Sequence, residues 1–167
     1  PVTTAITLRP IGVVRSPYRE LAEVPRQARL ATVRARIELV SGLGLEDAIA
    51  DLEGWDYVWV LTFFHLAKGW KPKVQPPRSE RKRGVLSTRA PHRPSPIGLS
   101  AMKIVSISGL VVEVEECDVV DGTPVLDLKP YVPWSDAIPD ARTGWLAPPE
   151  GARPGGPRPA DPRPIWP

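Results

Sequence analysis

Hydrophobic and polar residues alternate most cleanly in VRARIELV, residues 33–40. Val33, Ala35, Ile37 and Leu39 fall on one face, and Arg34, Arg36 and Glu38 fall on the other. A period of two marks a strand with one face turned to a core. The opening AITLRPIGVVRS (5–16) predicts a strand interrupted by Pro10, which has no amide to give to a ladder. YRELAEVPRQARLAT (18–32) predicts a loop, with Pro25 breaking any helix. SGLGLEDAIADLEGW (41–55) carries acids near the start of a short predicted helix, at about 45–52, and Gly54 past its end. DYVWVLTFFH (56–65) is continuously apolar and rich in aromatic and β-branched residues, which predicts a strand buried on both faces. GLSAMKIVSISG (98–109) and LVVEVEECDVV (110–120) predict a hairpin turning at Ser108-Gly109. VLDLKPYV (125–132) adds one more alternating segment.

Short strands dominate and no strand–helix–strand rhythm appears. The expected fold is therefore mainly β: a single antiparallel-rich β-barrel with short helices and long loops. Its expected extent is residues 1–147. From Pro148 onward the last 20 residues hold eight prolines and three arginines, a composition that builds no core and predicts a Pro/Arg-rich tail over 148–167.

Composition changes this picture little. A chain of 167 residues, 42% apolar and 25% charged, is that of a globular domain with one core. The one cysteine, Cys117, lies among valines and reads as a small buried hydrophobe; no internal disulfide is open to it. The opening residues lack the basic start and apolar block of a secretory leader, and no apolar run reaches bilayer length. The expected location is the cytoplasm, with no membrane partner.

Charge changes the picture more. The net charge is only +3, but nine Lys or Arg face a single acid, Glu80, between Lys68 and Pro94. The block runs into STRAPHRPSPIGLS (87–100), where Pro91, Pro94 and Pro96 alternate with basic side chains. Proline fixes its own φ and biases the preceding residue toward extended backbone, so these residues form a stiff loop holding charge at set points. Two readings stay open on charge alone: a polyanionic partner, or a solvated surface loop.

Several chemistries find no support. Gly42-Leu43-Gly44 lacks the third glycine of a dinucleotide fingerprint, and no phosphate-cradling GxxxxGK[ST] loop exists. The two histidines, His65 and His92, come without paired cysteines or an HExxH pattern, so no metal is expected. No GxSxG elbow occurs. DGTPVLDLKPYVP (121–133) stands out instead. Asp121-Gly122 reads as a turn, and the residues after it form either a plain surface strand or a rigid rim offering backbone amides, carbonyls and one carboxylate.

IGVVRSPY (11–18), VPRQA (24–28), LEGWDYVWVLTFFH (52–65), VQPPR (74–78), STRAPHRPSPIGLS (87–100) and DGTPVLDLKPYVP (121–133) occur in the order and spacing of the TsaA-like, or TrmO, family. The chain resembles that family over about residues 6–145, and Ser95 stands where many relatives carry asparagine. The resemblance implies a β-barrel, usually dimeric, that binds S-adenosylmethionine without a Rossmann domain. It implies methylation of N6 of threonylcarbamoyladenosine next to the tRNA anticodon. It places the cofactor site at Arg26, Gln27, His65, Leu66, Arg89, Leu99 and the run Asp121, Gly122, Thr123, Pro124 and Val125. It also raises the RNA reading for Lys71, Lys73, Arg78, Arg81, Lys82, Arg83 and Arg93, whose charges suit phosphates.

The implied chemistry suits these residues. An arginine fork gives bidentate bonds to a carboxylate or phosphate, while a sulfonium prefers carbonyl oxygens and carboxylates. The acceptor nitrogen is delocalised between a purine and a carbonyl, so positioning and loss of its proton are the two available accelerations. His65 and Asp121 are the candidate bases; the competing reading of His65 is a hydrogen-bonded core histidine. Two other functions remain compatible: a non-catalytic S-adenosylmethionine-binding regulator, and a methyltransferase for a different acceptor.

Overall fold

The computed structural model describes residues 5–25, 31 and 33–146. The chain divides into two units. The first comprises residues up to Leu66 together with Pro96–Tyr131. It holds six strands: β1 (Gly12–Arg15), β2 (Ala35–Leu39), β3 (Tyr57–Phe63), β6 (Ile97–Ser108), β7 (Val111–Glu115) and β8 (Pro124–Pro130). They close into a barrel in the order β1-β2-β7-β6-β3-β8, with every pairing antiparallel. The expected antiparallel barrel is the observed one.

Its interior is filled by Val14, Ile37, Val58, Val60, Met102, Val112, Val114 and Val125, all fully buried. β2 alternates as its sequence predicts, with Ala35, Ile37 and Leu39 inside. β1 begins at Gly12, two residues past Pro10. Gly12 permits a close approach: a side chain there would meet the Glu38 carbonyl oxygen at 2.5 Å. The helical expectation shrinks to one turn, α1 (Leu45–Ala48), followed by a 3₁₀ turn at Leu52–Gly54. The β6–β7 hairpin turns at Gly109-Leu110, with Gly109 at φ +55°.

β3 corrects one expectation. It is not buried on both faces. Val58, Val60 and Thr62 point inward, while Tyr57, Trp59 and Leu61 are half-buried outside and Phe63 is exposed. Antiparallel barrels bury one face of each strand, and here the other face is itself apolar. Tyr131 packs edge-on against Trp59 at 5.3 Å and Tyr57 at 6.2 Å, which covers that end of the outer face.

The second unit comprises Ala67–Ser95 and the residues from Val132. A two-stranded ribbon, β4 (Lys73–Val74) with β5 (Arg83–Gly84), is its only sheet among the described residues. A 3₁₀ turn at Val85–Ser87 follows, and the one-turn helix α2 (Pro133–Asp136) lies downstream. The Trp145 indole N–H donates to the Ser87 carbonyl at 2.9 Å, and Arg83 lies 5.2 Å over the Trp145 ring. Among the described residues no helix is long and apolar enough to cross a membrane. None of them forms a group of three or more His, Cys, Asp or Glu able to hold a metal ion. The predicted tail, 148–167, lies outside the described residues.

Candidate active site at one rim of the barrel

Register brings most of the expected cofactor residues to one end of the barrel. On β3, Thr62 pairs with Gly98 of β6 on one side and Val125 of β8 on the other. Phe63 pairs with Ile97, and the Phe64 amide donates to the Pro96 carbonyl at 2.8 Å. His65 and Leu66, Leu99, and the 121–125 turn therefore sit at adjoining ends of three neighbouring strands. His65 and Leu66 are exposed, as is Leu99, so these three side chains are open to a ligand. Exposure removes the core-histidine reading of His65; among the described residues nothing hydrogen-bonds its imidazole.

The 121–125 turn is held from both sides. The Asp121 amide donates to the Tyr18 carbonyl at 2.8 Å, the Gly122 amide to Val14 at 2.8 Å, and the Thr123 amide to Val120 at 3.3 Å. Pro124 has no amide to give. The sequence alone allows this rim to offer amides; the structure spends them within the fold. It also spends the Thr123 and Val125 carbonyls, which accept the Val14 and Ile11 amides at 2.9 and 2.8 Å. The Asp121 carboxylate and the remaining carbonyl oxygens are what the rim can turn outward. Thr123 and Val125 are buried, and the Thr123 hydroxyl donates to the Val120 carbonyl at 2.7 Å. Those two residues shape the turn from within. Gly122 adopts φ +77°, where a side chain is strained.

Asp121 is braced as well. Its Oδ1 accepts the Ser16 amide at 3.1 Å, and its Oδ2 accepts Arg19 Nη1 at 2.6 Å. Both oxygens thus tie the exit of β1 to the turn. That geometry fixes the Asp121 carboxylate in place at the rim, ion-paired with Arg19.

Beside it lies a group that sequence reasoning misses. Ser100 Oγ donates to Asp118 Oδ1 at 2.5 Å, joining β6 to the segment after β7. Burial, with Cys117 and Asp118 nearby, pushes the Tyr18 hydroxyl above the usual phenol range. Burial likewise pushes the Cys117 thiol up to about 12. A polar Asp118 inside the apolar run CDVV is the available signal.

The remaining expected residues are not among the described residues of the first unit. Arg26 and Gln27 fall outside the described residues. Arg89 is exposed and belongs to the second unit. So do all the expected RNA contacts. Lys71, Lys73, Arg81 and Lys82 are exposed. Arg83 and Arg93 do structural work first: Arg83 Nε donates to Ser79 Oγ at 2.9 Å, and Arg93 Nη1 donates to the Thr88 carbonyl at 3.1 Å. Arg78 is half-buried. Two shallow depressions, about 160 and 270 Å³, lie toward the α1 end, both lined by Ile49, Ala50 and Asp51. That end is opposite the rim, and no expected site residue lines them.

Comparison with known proteins decides what this rim belongs to. Residues 13–137 match the family described as the tRNA-methyltransferase O N-terminal domain. The chain belongs to that family. It is 38% identical over 144 residues to the tRNA (adenine(37)-N6)-methyltransferase of Escherichia coli K12, an alignment covering 81% of this chain and 61% of that protein. It is 39% identical to a probable S-adenosyl-L-methionine-binding protein of Pyrococcus abyssi, covering 84% and 76% of the two chains. The crystal structure of TrmO from Pseudomonas aeruginosa is similar at a TM-score of 0.72 and 38% identity, covering 84% of this chain and 62% of that one. This TrmO-family chain thus spans about three fifths of the length of the Escherichia coli relative.

Proposed function

We propose that the protein is an S-adenosylmethionine-dependent methyltransferase acting on N6 of threonylcarbamoyladenosine beside the anticodon of tRNA. The observation that carries the reading is the register that gathers His65, Leu66 and Leu99 with the 121–125 turn at one end of the barrel, with the Asp121 carboxylate held in place there and the His65 side chain exposed. The names of similar proteins support the same activity.

A bound S-adenosylmethionine supplies a methyl group on a positively charged sulfur. A rim of oxygens suits that charge and the cofactor's ammonium, and Asp121 adds its carboxylate to the field without having to move. Leu66 and Leu99 offer apolar surface to an adenine, while Thr123, Pro124 and Val125 hold the turn rigid beneath it. By the family resemblance Arg26, Gln27 and Arg89 are further candidates for cofactor contact; an arginine fork suits a carboxylate or a phosphate. In the transfer the carbon–sulfur bond breaks as the carbon–nitrogen bond forms, leaving a neutral thioether. The N6 proton leaves to a base, and the exposed His65 imidazole is the acceptor we assign to it. Positioning contributes more than the base, because effective molarities from in-line alignment exceed what a single proton acceptor gives.

The second unit serves the RNA. Lys71, Lys73, Arg81 and Lys82, supported by Arg78, Arg83 and Arg93, would neutralise phosphates and make binding fall steeply with salt. The working form in this reading is a cytoplasmic homodimer. The exposed Phe63–Ile97 pair supports it, as an apolar patch that a second copy would cover.

Nucleoside mass spectrometry tests the reading, using tRNA with and without threonylcarbamoyladenosine and isotopically labelled S-adenosylmethionine. A labelled methyl on the modified nucleoside alone is the expected result. Cofactor binding without transfer to any tRNA would overturn it in favour of a regulator.

A further inference from the structure

The tryptophans among the described residues divide into those with a place in the packing and those without, and the difference is informative. Trp55 packs against the barrel core, Trp59 stacks edge-on against Tyr131, and Trp145 gives its N–H to Ser87 and its face to Arg83. Trp70 does none of this. It is 50% exposed, and among the described residues no hydrogen bond or ring contact engages its indole. An exposed indole offers a large flat apolar face with one polar edge, the kind of side chain enriched where ligands and partners bind.

The surroundings indicate which ligand that is. Trp70 lies in the run Lys68-Gly69-Trp70-Lys71-Pro72-Lys73, with three lysines within three residues of it in sequence, and all three are exposed. The run leads straight into the β4–β5 ribbon, where Lys73 pairs with Gly84 and the Val85 amide donates to the Pro72 carbonyl at 2.9 Å. The ribbon fixes the backbone just past the ring, and Pro72 stiffens it further. A second unpartnered indole, Trp134, is 85% exposed, but its nearest charged neighbour in sequence is Asp136, and the nearest lysine, Lys129, is paired with Asp127 at 2.9 Å. Charge complementarity therefore separates the two: an exposed apolar ring in a lysine-rich run fits a polyanion that carries flat aromatic groups. Single-stranded nucleic acid is that ligand, with bases for the ring and phosphates for the lysines.

We propose that Trp70 is a base-stacking platform on the second unit, holding an unpaired nucleobase of the substrate RNA while Lys68, Lys71 and Lys73 hold its backbone. The inference rests on the RNA reading above and adds to it the group that distinguishes looped from paired RNA. An exposed ring stacks on any base, so the platform selects for unstacked nucleotides and not for sequence.

The test uses the full chain and two fluorescently labelled probes, an RNA stem–loop and a fully paired duplex built on the same stem. Wild type is expected to prefer the stem–loop. Trp70→Ala is expected to weaken stem–loop binding about 5- to 150-fold, leave duplex binding unchanged, and keep the same slope of log affinity against log salt. Trp70→Phe should restore most of the loss. Lys71→Ala is expected to reduce that slope on both probes. Equal stem–loop affinity in wild type and Trp70→Ala would overturn the inference and leave the RNA reading standing. So would an equal loss on both probes, or a change in oligomeric state in Trp70→Ala. Failure of wild type to bind either RNA in a salt-dependent way would overturn both.

Discussion

Gly98→Ala tests how tightly β6 is set against β3 beneath the rim. A Cβ at residue 98 would lie 2.4 Å from Thr62 Oγ1 and 2.6 and 2.8 Å from two atoms of the Phe64 ring. Carbon atoms in contact prefer about 3.5–4.0 Å, so a neighbour must move by roughly 1 Å. Neither moves readily. Thr62 is fully buried and β-branched, with little rotamer freedom, and Phe64 is pinned through its amide to Pro96. Overpacking of this kind costs about 1–3 kcal/mol. For a chain of this size that lowers Tm by roughly 2–12 °C. Urea unfolding should show a lower midpoint with an unchanged m value. The same substitution made in a Thr62→Ala background should cost less by at least about 0.5 kcal/mol, since the obstructing hydroxyl is gone. A cost below that figure in wild type, or strict additivity with Thr62→Ala, would refute the account. Because Phe64 precedes His65, the substitution should also weaken S-adenosylmethionine binding, which calorimetry reads directly.

Thr62 itself carries a buried Oγ1 with no hydrogen-bond partner among the described residues, so Thr62→Val should stabilise the fold by about 1 kcal/mol in chemical denaturation. A loss of stability would mean that the hydroxyl has a partner. The Cys117 thiol, at about 12 when folded against 9.0 unperturbed, should stay silent to a thiol reagent at pH 8 until the chain unfolds. Its raised value also fixes a sign: the protonated thiol favours the fold, so its contribution is complete below pH 9 and is lost as pH rises toward 12. Stability that rises over that window would contradict this. Asp121→Asn keeps an acceptor for the Ser16 amide and loses only an ion pair to a largely exposed Arg19, so stability should change by less than about 1 kcal/mol. Asp121→Ala orphans that amide and should cost about 1–3 kcal/mol, and both should weaken cofactor binding. Equal stability of the two variants would remove the brace.

The strands of the barrel are legible wherever polarity reports the face. β2 shows this, because its outward residues are Arg36 and Glu38. β3 misleads for the opposite reason: Tyr57, Trp59, Leu61 and Phe63 make its outer face as apolar as its inner one, and periodicity vanishes. The β4–β5 ribbon has two residues per strand, too few for any period to appear. At the rim, the family motifs point to His65, Leu99 and Asp121, and register makes their strand ends neighbours. The motifs do not show that the 121–123 amides are spent, because that depends on carbonyls at Val14, Tyr18 and Val120. Nor do they show Ser100 meeting Asp118, a contact between side chains on different segments.

The barrel is closed by its first strand. β1 pairs with β2 close by in sequence, but also with β8, where Gly12 meets Val125. On a ribosome, Gly12 emerges early and must wait for roughly a hundred further residues before its second neighbour, Val125, exists. Until then the nascent sheet has two open edges, and the braces from Ser16 and Tyr18 to Asp121 cannot form. Folding should therefore complete only after synthesis passes β8, at a rate set by a long loop closure. A chain stalled before residue 124 would present unpaired strand edges to its neighbours, and aggregation would be its principal hazard.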